Sequence, residues 1–549
     1  MSLPFALRSE LKEARYCGDI RGGLDRLNAH LNTVLDPAER STLFWLGLTD
    51  LRAIGPAAEH FNALSRPLAL RDQVAYAKFL YLMGEPRQSK RLLASAQKLG
   101  PKAEALKNAA GQQSDILERY DLREINDVPA YLYKKARQRV TKVNGTGTLF
   151  YTGQLGPGGA ERQMVRLAVA LGANASLSPI SVAVRHTDPA RNGDFLVPKL
   201  EAASVPLDVL CELPVADTLP SGPFIDLIAA LPRDLQQPVR ALTKVLQRRR
   251  PRNLVLWQDG AILPGAIAAA IAGVPSLLCS FRGLPPNQRL KFFRREYAPL
   301  YETMFSDPSV IFTTNNLKTA NAYQDWLRFP EHTINVVGNA VPKPALTASA
   351  QTLSRWRKIK SLSPECKRTV IGVFRCDPVK QPLLWVQSAI ETLKTHPNTR
   401  FIHIGGGSFT PPAQKLTAKE IAKDRVFHIG LSEDIGFWLS QADLILHVPQ
   451  AEGLPNVLIE AQHNGVPAIC TPAGGTEEVV EDGVTGVVFA SVHPDPTDVA
   501  NAIGTLLDAP KQLQKMQEIC KATAMEQFDP NEIYSQFENL LTAQRAAVA

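Results

Sequence analysis

Two glutamates, Glu452 and Glu460, stand with seven residues between them. Carboxylates so placed can act as an acid and base pair, or accept hydrogen bonds from neighbouring hydroxyls of a ligand. Glu452 belongs to Ala451-Glu452-Gly453-Leu454-Pro455-Asn456, directly after the apolar run Asp443–Val448. Glu460 lies in a helix-patterned segment that ends near Gly465. A strand, a glycine- and proline-bearing loop and a helix in that order put the loop at the C-terminal edge of a parallel sheet, where open α/β sheets bind ligands. Glu452 is then expected at the mouth of a crevice and Glu460 about two helical turns deeper.

A second set of candidates is cationic. Arg375 follows the apolar run Thr369–Phe374, and Lys380 opens the next helical segment. Two fixed cations in one such loop would hold a diphosphate and stabilise it as a leaving group. Gly406, within Gly405-Gly406-Gly407, ends another strand-like run and permits close approach of the backbone to a ligand. Gly158 and Gly159 close the loop Gly156-Pro157-Gly158-Gly159 ahead of the amphipathic segment Ala160–Leu171. There, backbone N–H groups and the helix dipole favour a phosphate, although a tight turn without ligand explains the glycines equally well. The loop departs from G-x-G-x-x-G, and no acidic residue marks the end of the following strand, which argues against a dinucleotide site.

The elements that must position these residues fall into blocks. A chain of 549 residues exceeds one core. Hydrophobic residues at 45% and charged residues at 21% describe an ordinary soluble globular protein. The formal charge of +8 suits nucleotide diphosphates or anionic headgroups but is far from that of a dedicated DNA binder, and no nucleic-acid partner is expected. The seven cysteines are scattered and show neither disulfide nor zinc spacing, so a cytoplasmic setting is expected. The N-terminal segment turns polar within ten residues, unlike a signal peptide. No apolar run approaches the roughly 20 residues of a membrane span.

Residues 1–125 read as helices only, with turns at Gly18, Gly55 and Gly84 spaced near a tetratricopeptide-like period, although a plain bundle fits nearly as well. They are expected to dock a partner or self-associate. Residues 126–147 form a basic linker or clamp helix. Strands and helices alternate through 148–341 and again through 367–528, with a hinge region at 342–366. A last helix at 529–549 is placed to cross back onto the first of these domains. The fold class expected is α/β: two facing Rossmann-like domains with a central cleft, preceded by an all-α domain.

Gly158-Gly-Ala-Glu-Arg162, Arg375 with Lys380, Ile404-Gly-Gly-Gly407, Glu452-Gly-Leu-Pro-Asn456 with Glu460, and Gly465 through Glu478 together resemble glycosyltransferase family 4, the retaining GT-B enzymes of glycosyl transferases group 1. The resemblance covers about residues 148–540. It implies that Glu460 binds the ribose hydroxyls of a nucleotide and that Glu452 faces the donor sugar. It implies that the backbone of Gly453, Leu454, Pro455 and Asn456 cradles that sugar and its phosphate. Arg375 and Lys380 would bind the diphosphate, with Gly158 and Gly159 closing over it, and Gly406 would add to the donor site. No metal and no cofactor is implied. Where many members carry a histidine, this chain has Arg282, which cannot serve as a base but can hold a phosphate or an acidic sugar. Gln258 and Asp259 stand where relatives have a histidine-bearing loop and are acceptor-site candidates with Arg282; for Asp259 a helix cap is the competing reading.

The activity implied is transfer of a hexose-type sugar, from a UDP-sugar by preference, to a glycan or lipid-linked acceptor in exopolysaccharide, capsule or lipopolysaccharide synthesis. Two alternatives stay open: a GT-B epimerase or phosphorylase, and a helical-repeat adaptor whose GT-B part is inactive. The segment Arg289–Tyr297 interleaves aromatic residues with cations, as a segment on the anionic inner membrane face would.

Overall fold

The computed structural model describes residues 3–17, 19–64, 69–96, 99–214, 224–289, 293–407 and 411–548. Residues 290–292 of the basic-aromatic segment, and Gly18 of the first helical turn, lie outside the described residues.

The N-terminal region is all helix: Phe5–Cys17, Ile20–Leu31, Pro37–Leu51, Ile54–Ala63, Leu70–Leu82, Pro86–Ala94 and Pro101–Arg119. Consecutive helices pack against one another around a core that includes Leu11, Leu27, Trp45, Leu48, Leu51 and Phe79. Asp19 and Asp36 accept from backbone N–H groups at the starts of the second and third helices, satisfying donors that the helix itself leaves unpaired.

The helix Val128–Arg139 falls in the stretch read as a basic linker or clamp. Val128, Leu132, Tyr133 and Ala136 bury one face of it in the core of the next domain. Arg137 donates to Val274 O at 2.6 Å and Ser309 Oγ at 2.8 Å and pairs with Asp307 at 2.9 Å. This part of the stretch's charge is therefore structural.

Two parallel sheets follow. The first comprises β1 (Thr148–Thr152), β2 (Ile180–Val184), β3 (Leu207–Val209), β4 (Asn253–Trp257), β5 (Ser276–Ser280), β6 (Val310–Thr314) and β7 (Asn335–Val336), in the order β3-β2-β1-β4-β5-β6-β7. The second comprises β8 (Arg368–Val373), β9 (Thr399–Ile404), β10 (Val426–His428), β11 (Leu444–His447), β12 (Ala468–Cys470) and β13 (Gly486–Val488), in the order β10-β9-β8-β11-β12-β13. β1, β2, β4, β5 and β9 are buried along their whole length, as strands covered on both faces by helices must be. In each sheet the order reverses beside the first strand, β1 or β8, which opens a crevice at the C-terminal ends of the strands.

The hinge region contains more order than its polar composition implies. Ser349 accepts from Thr352 N at 3.3 Å and donates to Asp434 at 2.7 Å, starting the helix Ala350–Leu362. Trp356 and Ile359, three residues apart on one face, anchor it in the second domain's core. The chain's last helix, Pro530–Val548, packs Ile533, Phe537 and Leu541 against Phe150, Trp257 and Val337 of the first domain. No helix among the described residues is long and apolar enough to cross a membrane.

Candidate functional site

The C-terminal edges of the two sheets face each other across a cavity of about 2250 Å³. On the second domain's side, β11 ends at His447 and its loop carries Glu452 back into the protein. The Lys380 ammonium donates to Glu452 Oε1, and the same oxygen lies 3.2 Å from His447 Nε2. Burial alone would raise the Glu452 carboxyl. The Lys380 charge and the His447 N–H outweigh it and hold the group well below the usual carboxylate range. His447 moves downward through burial, against the pull of Glu452, and is neutral at pH 7. Glu452 is thus an ionised acceptor and is not poised as a general acid.

The loop after Glu452 is pinned on both sides. Gly474 has φ +57°, and a Cβ there would sit 2.1 Å from Glu452 O, so glycine is required. Gly475 N donates to Gly453 O at 2.8 Å. Pro455 precedes the helix Asn456–His463, whose second turn brings Glu460 to the cavity wall. Glu460 is raised by burial and drawn back by Arg166, 3.9 Å away, and by Arg162.

Arg375 follows β8 on the cavity wall, with its guanidinium 3.0 Å from Asp377 and open to solvent. Gly405, Gly406 and Gly407 line the same wall. Across the cleft, the loop through Gly158 leads into the helix Gly159–Leu171. Asn456 Nδ2 donates to Gly159 O at 3.2 Å, and a Cβ at Gly159 would lie 3.1 Å from that nitrogen, so the domains meet where side-chain bulk is least. Gln163 Nε2 donates to Asn456 Oδ1 at 3.3 Å, and Asn339 Nδ2 donates to the same oxygen at 2.6 Å and to Leu454 O at 3.0 Å.

The acceptor-side candidates divide. Gln258, at φ +75°, lines the cavity and donates to Glu161 at 3.4 Å. Arg282 stacks over Trp257, 4.3 Å from the ring centroid, and donates to Asn339 Oδ1 and, at 3.3 Å, to Ser280 Oγ. Burial lowers Arg282 to about 9. Asp259 turns away from the cleft in all but its edge: its carboxylate accepts from Tyr323 at 2.7 Å, Arg289 at 2.8 Å and Tyr301 at 2.9 Å. It lines the cavity at that edge and makes no side-chain bond to its own helix start, so it does not cap that helix. Three donors occupy most of the roughly four acceptor sites of a carboxylate.

Sequence reasoning did not single out His447, Asn339 or Arg166, and it named Arg162 only as the end of the motif Gly158–Arg162, with no role of its own. His447 ends a strand run, a position that marks the ligand edge of a parallel sheet. Asn339 and Arg166 carry no motif of their own. One group with the spacing to hold a metal ion occurs among the described residues, where Cys376, His403 and His428 bring ligand atoms within 4.8 Å of one another. His403 Nε2 is 2.9 Å from Phe374 O, and the His403 and His428 rings stack at 4.7 Å.

Comparison with known proteins assigns this arrangement to a class. Among solved structures, Anabaena HepE in complex with UDP and glucose is similar at 20% identity and a TM-score of 0.56, over 72% of this chain and 99% of that one. A glycosyltransferase from Rickettsia africae is similar at 16% identity and a TM-score of 0.59, over 73% of this chain and 99% of that one. The chain has the GT-B fold. Residues 354–523 match the family described as glycosyl transferases group 1. Among curated proteins it is 34% identical over 377 residues to the Vi polysaccharide biosynthesis protein VipC/TviE of Salmonella typhi, over 65% of this chain and 64% of that protein. It is 30% identical over 176 residues to the N-acetyl-alpha-D-glucosaminyl L-malate synthase of Bacillus anthracis, over 32% of this chain and 45% of that protein. The chain therefore spans less than two thirds of the length of either curated relative.

Proposed function

We propose that the protein is a retaining glycosyltransferase that moves a sugar from a UDP-sugar to a glycan or lipid-linked acceptor in bacterial surface-polysaccharide synthesis. The observation that carries this reading is the set formed by Lys380, Glu452 and His447 opposite Gly159, all facing one cleft with Glu460 at its wall. The likeness to HepE, which binds UDP, and to a Vi polysaccharide biosynthesis protein supports the donor and the setting.

In this reading Glu460 accepts from the ribose hydroxyls, and Glu452, kept ionised, accepts from a hydroxyl of the donor sugar. Arg375 and Lys380 neutralise the diphosphate as its bond to the sugar breaks, which lowers the barrier where negative charge develops. The departing phosphate oxygen takes the proton of the incoming hydroxyl on the same face, so configuration is kept without a protein base. Gly158, Gly159 and the backbone of Gly453–Asn456 surround the phosphate and sugar, with Gly406 beside them. Gln258 and Arg282 border the acceptor side. The protein works in the cytoplasm, at the inner face of the membrane where a lipid-linked acceptor is presented.

The test is UDP-sugar hydrolysis and UDP affinity in wild type and in Lys380→Ala, Glu452→Ala and Glu460→Ala. Loss of about 10²–10³ in turnover for the first two, and weakened UDP binding for the third, is the expected result. Unchanged binding and turnover in all three overturns the site.

A further inference from the structure

The cavity does not end at the donor site. It runs on along the first domain and over the N-terminal helices as one continuous trough. At about 2250 Å³ it is larger than the roughly 300–1,000 Å³ that suffices for a small-molecule ligand. A nucleotide sugar therefore fills only part of it.

The charge of the remainder is one-sided. The charged residues of the N-terminal helices that line it are Arg15, Arg52, Lys78 and Lys102, and no carboxylate of those helices lines it among the described residues. Arg233 continues the row where the helices meet the first domain, with Arg295 beside it, 3.7 Å from Glu124. The carboxylates in that stretch are engaged: Asp234 and Glu296 both pair with Arg294, at 2.5 and 3.2 Å. Phe293, 37% exposed, adds an apolar ring face beside these cations.

The geometry points to an acceptor track: the helical domain and the first Rossmann domain together hold a glycan chain that carries carboxylates or phosphates along its length, with its growing end at the donor site. This rests on the glycosyltransferase reading above. A walled groove focuses the field of a row of like charges, which draws in a polyanion and keeps it bound while single contacts break and re-form. Continuity with the donor site favours a glycan over other polyanions, because a glycan lying there presents a hydroxyl to the transferred sugar. The N-terminal helices are then part of the acceptor site, a use distinct from docking a protein.

The test uses the full chain and two fluorescent decasaccharides, oligogalacturonate and a neutral maltodextrin, with oligo-dT as a non-glycan polyanion. Lys78→Glu/Lys102→Glu reverses two cations of the track. Arg40→Glu/Arg91→Glu makes the same change in net charge at positions outside the trough. UDP affinity and Tm are measured on every variant.

The expected result is that oligogalacturonate binds wild type in a salt-sensitive manner and in preference to both other probes. Lys78→Glu/Lys102→Glu weakens it about tenfold, whereas Arg40→Glu/Arg91→Glu weakens it less than about threefold. UDP affinity should stay the same in both variants. Equal binding of the neutral glycan, tighter binding of oligo-dT, or equal losses in the two variants overturns the track. If wild type fails to bind UDP, the glycosyltransferase reading itself falls. Retained UDP binding without oligogalacturonate binding removes the track alone.

Discussion

The Glu478 carboxylate of the second domain accepts from the backbone N–H of Leu317, at 2.9 and 3.0 Å, and from that of Lys318, at 3.2 Å. Those amides open the helix Leu317–Leu327 of the first domain. A helix start leaves N–H groups unpaired and carries a partial positive charge, so a carboxylate from across the cleft is held there. Lys318 Nζ adds a bond to Pro472 O at 2.9 Å. These bonds latch the two Rossmann-like domains together.

Glu478→Ala should therefore favour the open arrangement. Loss of a cap of this kind costs about 1 kcal/mol, which shifts a balance between closed and open forms about fivefold. The measurement is small-angle scattering with and without UDP, together with the KM for donor. A larger radius of gyration without UDP and a donor KM raised about fivefold are expected. Unchanged scattering and KM would show that the contact does not hold the domains.

Stability should depend on pH through His447 and Glu452. Both have folded values below their unfolded ones, for the causes described above. The unfolded chain therefore takes up protons that the folded chain refuses, and stability falls with pH. The His447 contribution is complete above about pH 6.5, and the Glu452 contribution above about pH 4.3; each is lost as pH falls through the folded value. Tm should be level above pH 7 and drop below about 6.5. In His447→Gln, whose amide can still donate to Glu452, part of that drop should move down into the carboxylate range.

Asp259 should matter for stability more than for the acceptor. Asp259→Asn removes the charge opposite Arg289 and sets an NH₂ group against either the Arg289 donor or the two tyrosine hydroxyls. Breaking one side of a buried ion pair costs about 3–5 kcal/mol. A lowered midpoint in urea is expected, with the acceptor KM within about twofold where the variant is folded. A raised acceptor KM at unchanged stability would return Asp259 to the acceptor site.

What the sequence reveals about the site is set by how local each contact is. Glu452 and Glu460 are legible because one loop and one helix place both, and the apolar run before them ends the strand. Lys380 and Arg375 are legible for the same reason, beside β8. That Lys380 pairs with Glu452 is a contact between segments 72 residues apart, and no spacing encodes it. Asn339 and Arg166 are harder still, since their partners lie in the other domain. In the fold, the long apolar strands are plain, whereas β3 and β13 have three residues each at the edges of their sheets. Such strands are too short for the alternation or apolar run that marks a strand. The helix Ala350–Leu362 hides behind its lysines and arginines, because two large apolar residues on one face are enough to seat it.

Asn339 ties the first domain to the Glu452 loop, and its two side-chain atoms work in opposite senses. Its Nδ2 donates to Leu454 O and Asn456 Oδ1, while its Oδ1 accepts from Arg282 and, at 3.3 Å, from Asn315 Nδ2. The residue is 3% exposed, so no bulk water replaces a lost partner. Asn339→Asp keeps the shape and the acceptor for Arg282 but turns an oxygen toward Leu454 O and Asn456 Oδ1. Unsatisfied buried acceptors cost about 1–3 kcal/mol, and here the cost falls on the backbone proposed to hold the donor sugar. UDP-sugar affinity should drop about tenfold or more, with UDP itself less affected because Glu460 sits on the helix beyond. Asn339→Ala, which removes both senses at once, should lose stability as well, seen as a lower Tm. If Asn339→Asp binds the UDP-sugar as wild type does, the Leu454–Asn456 backbone is not part of the sugar site.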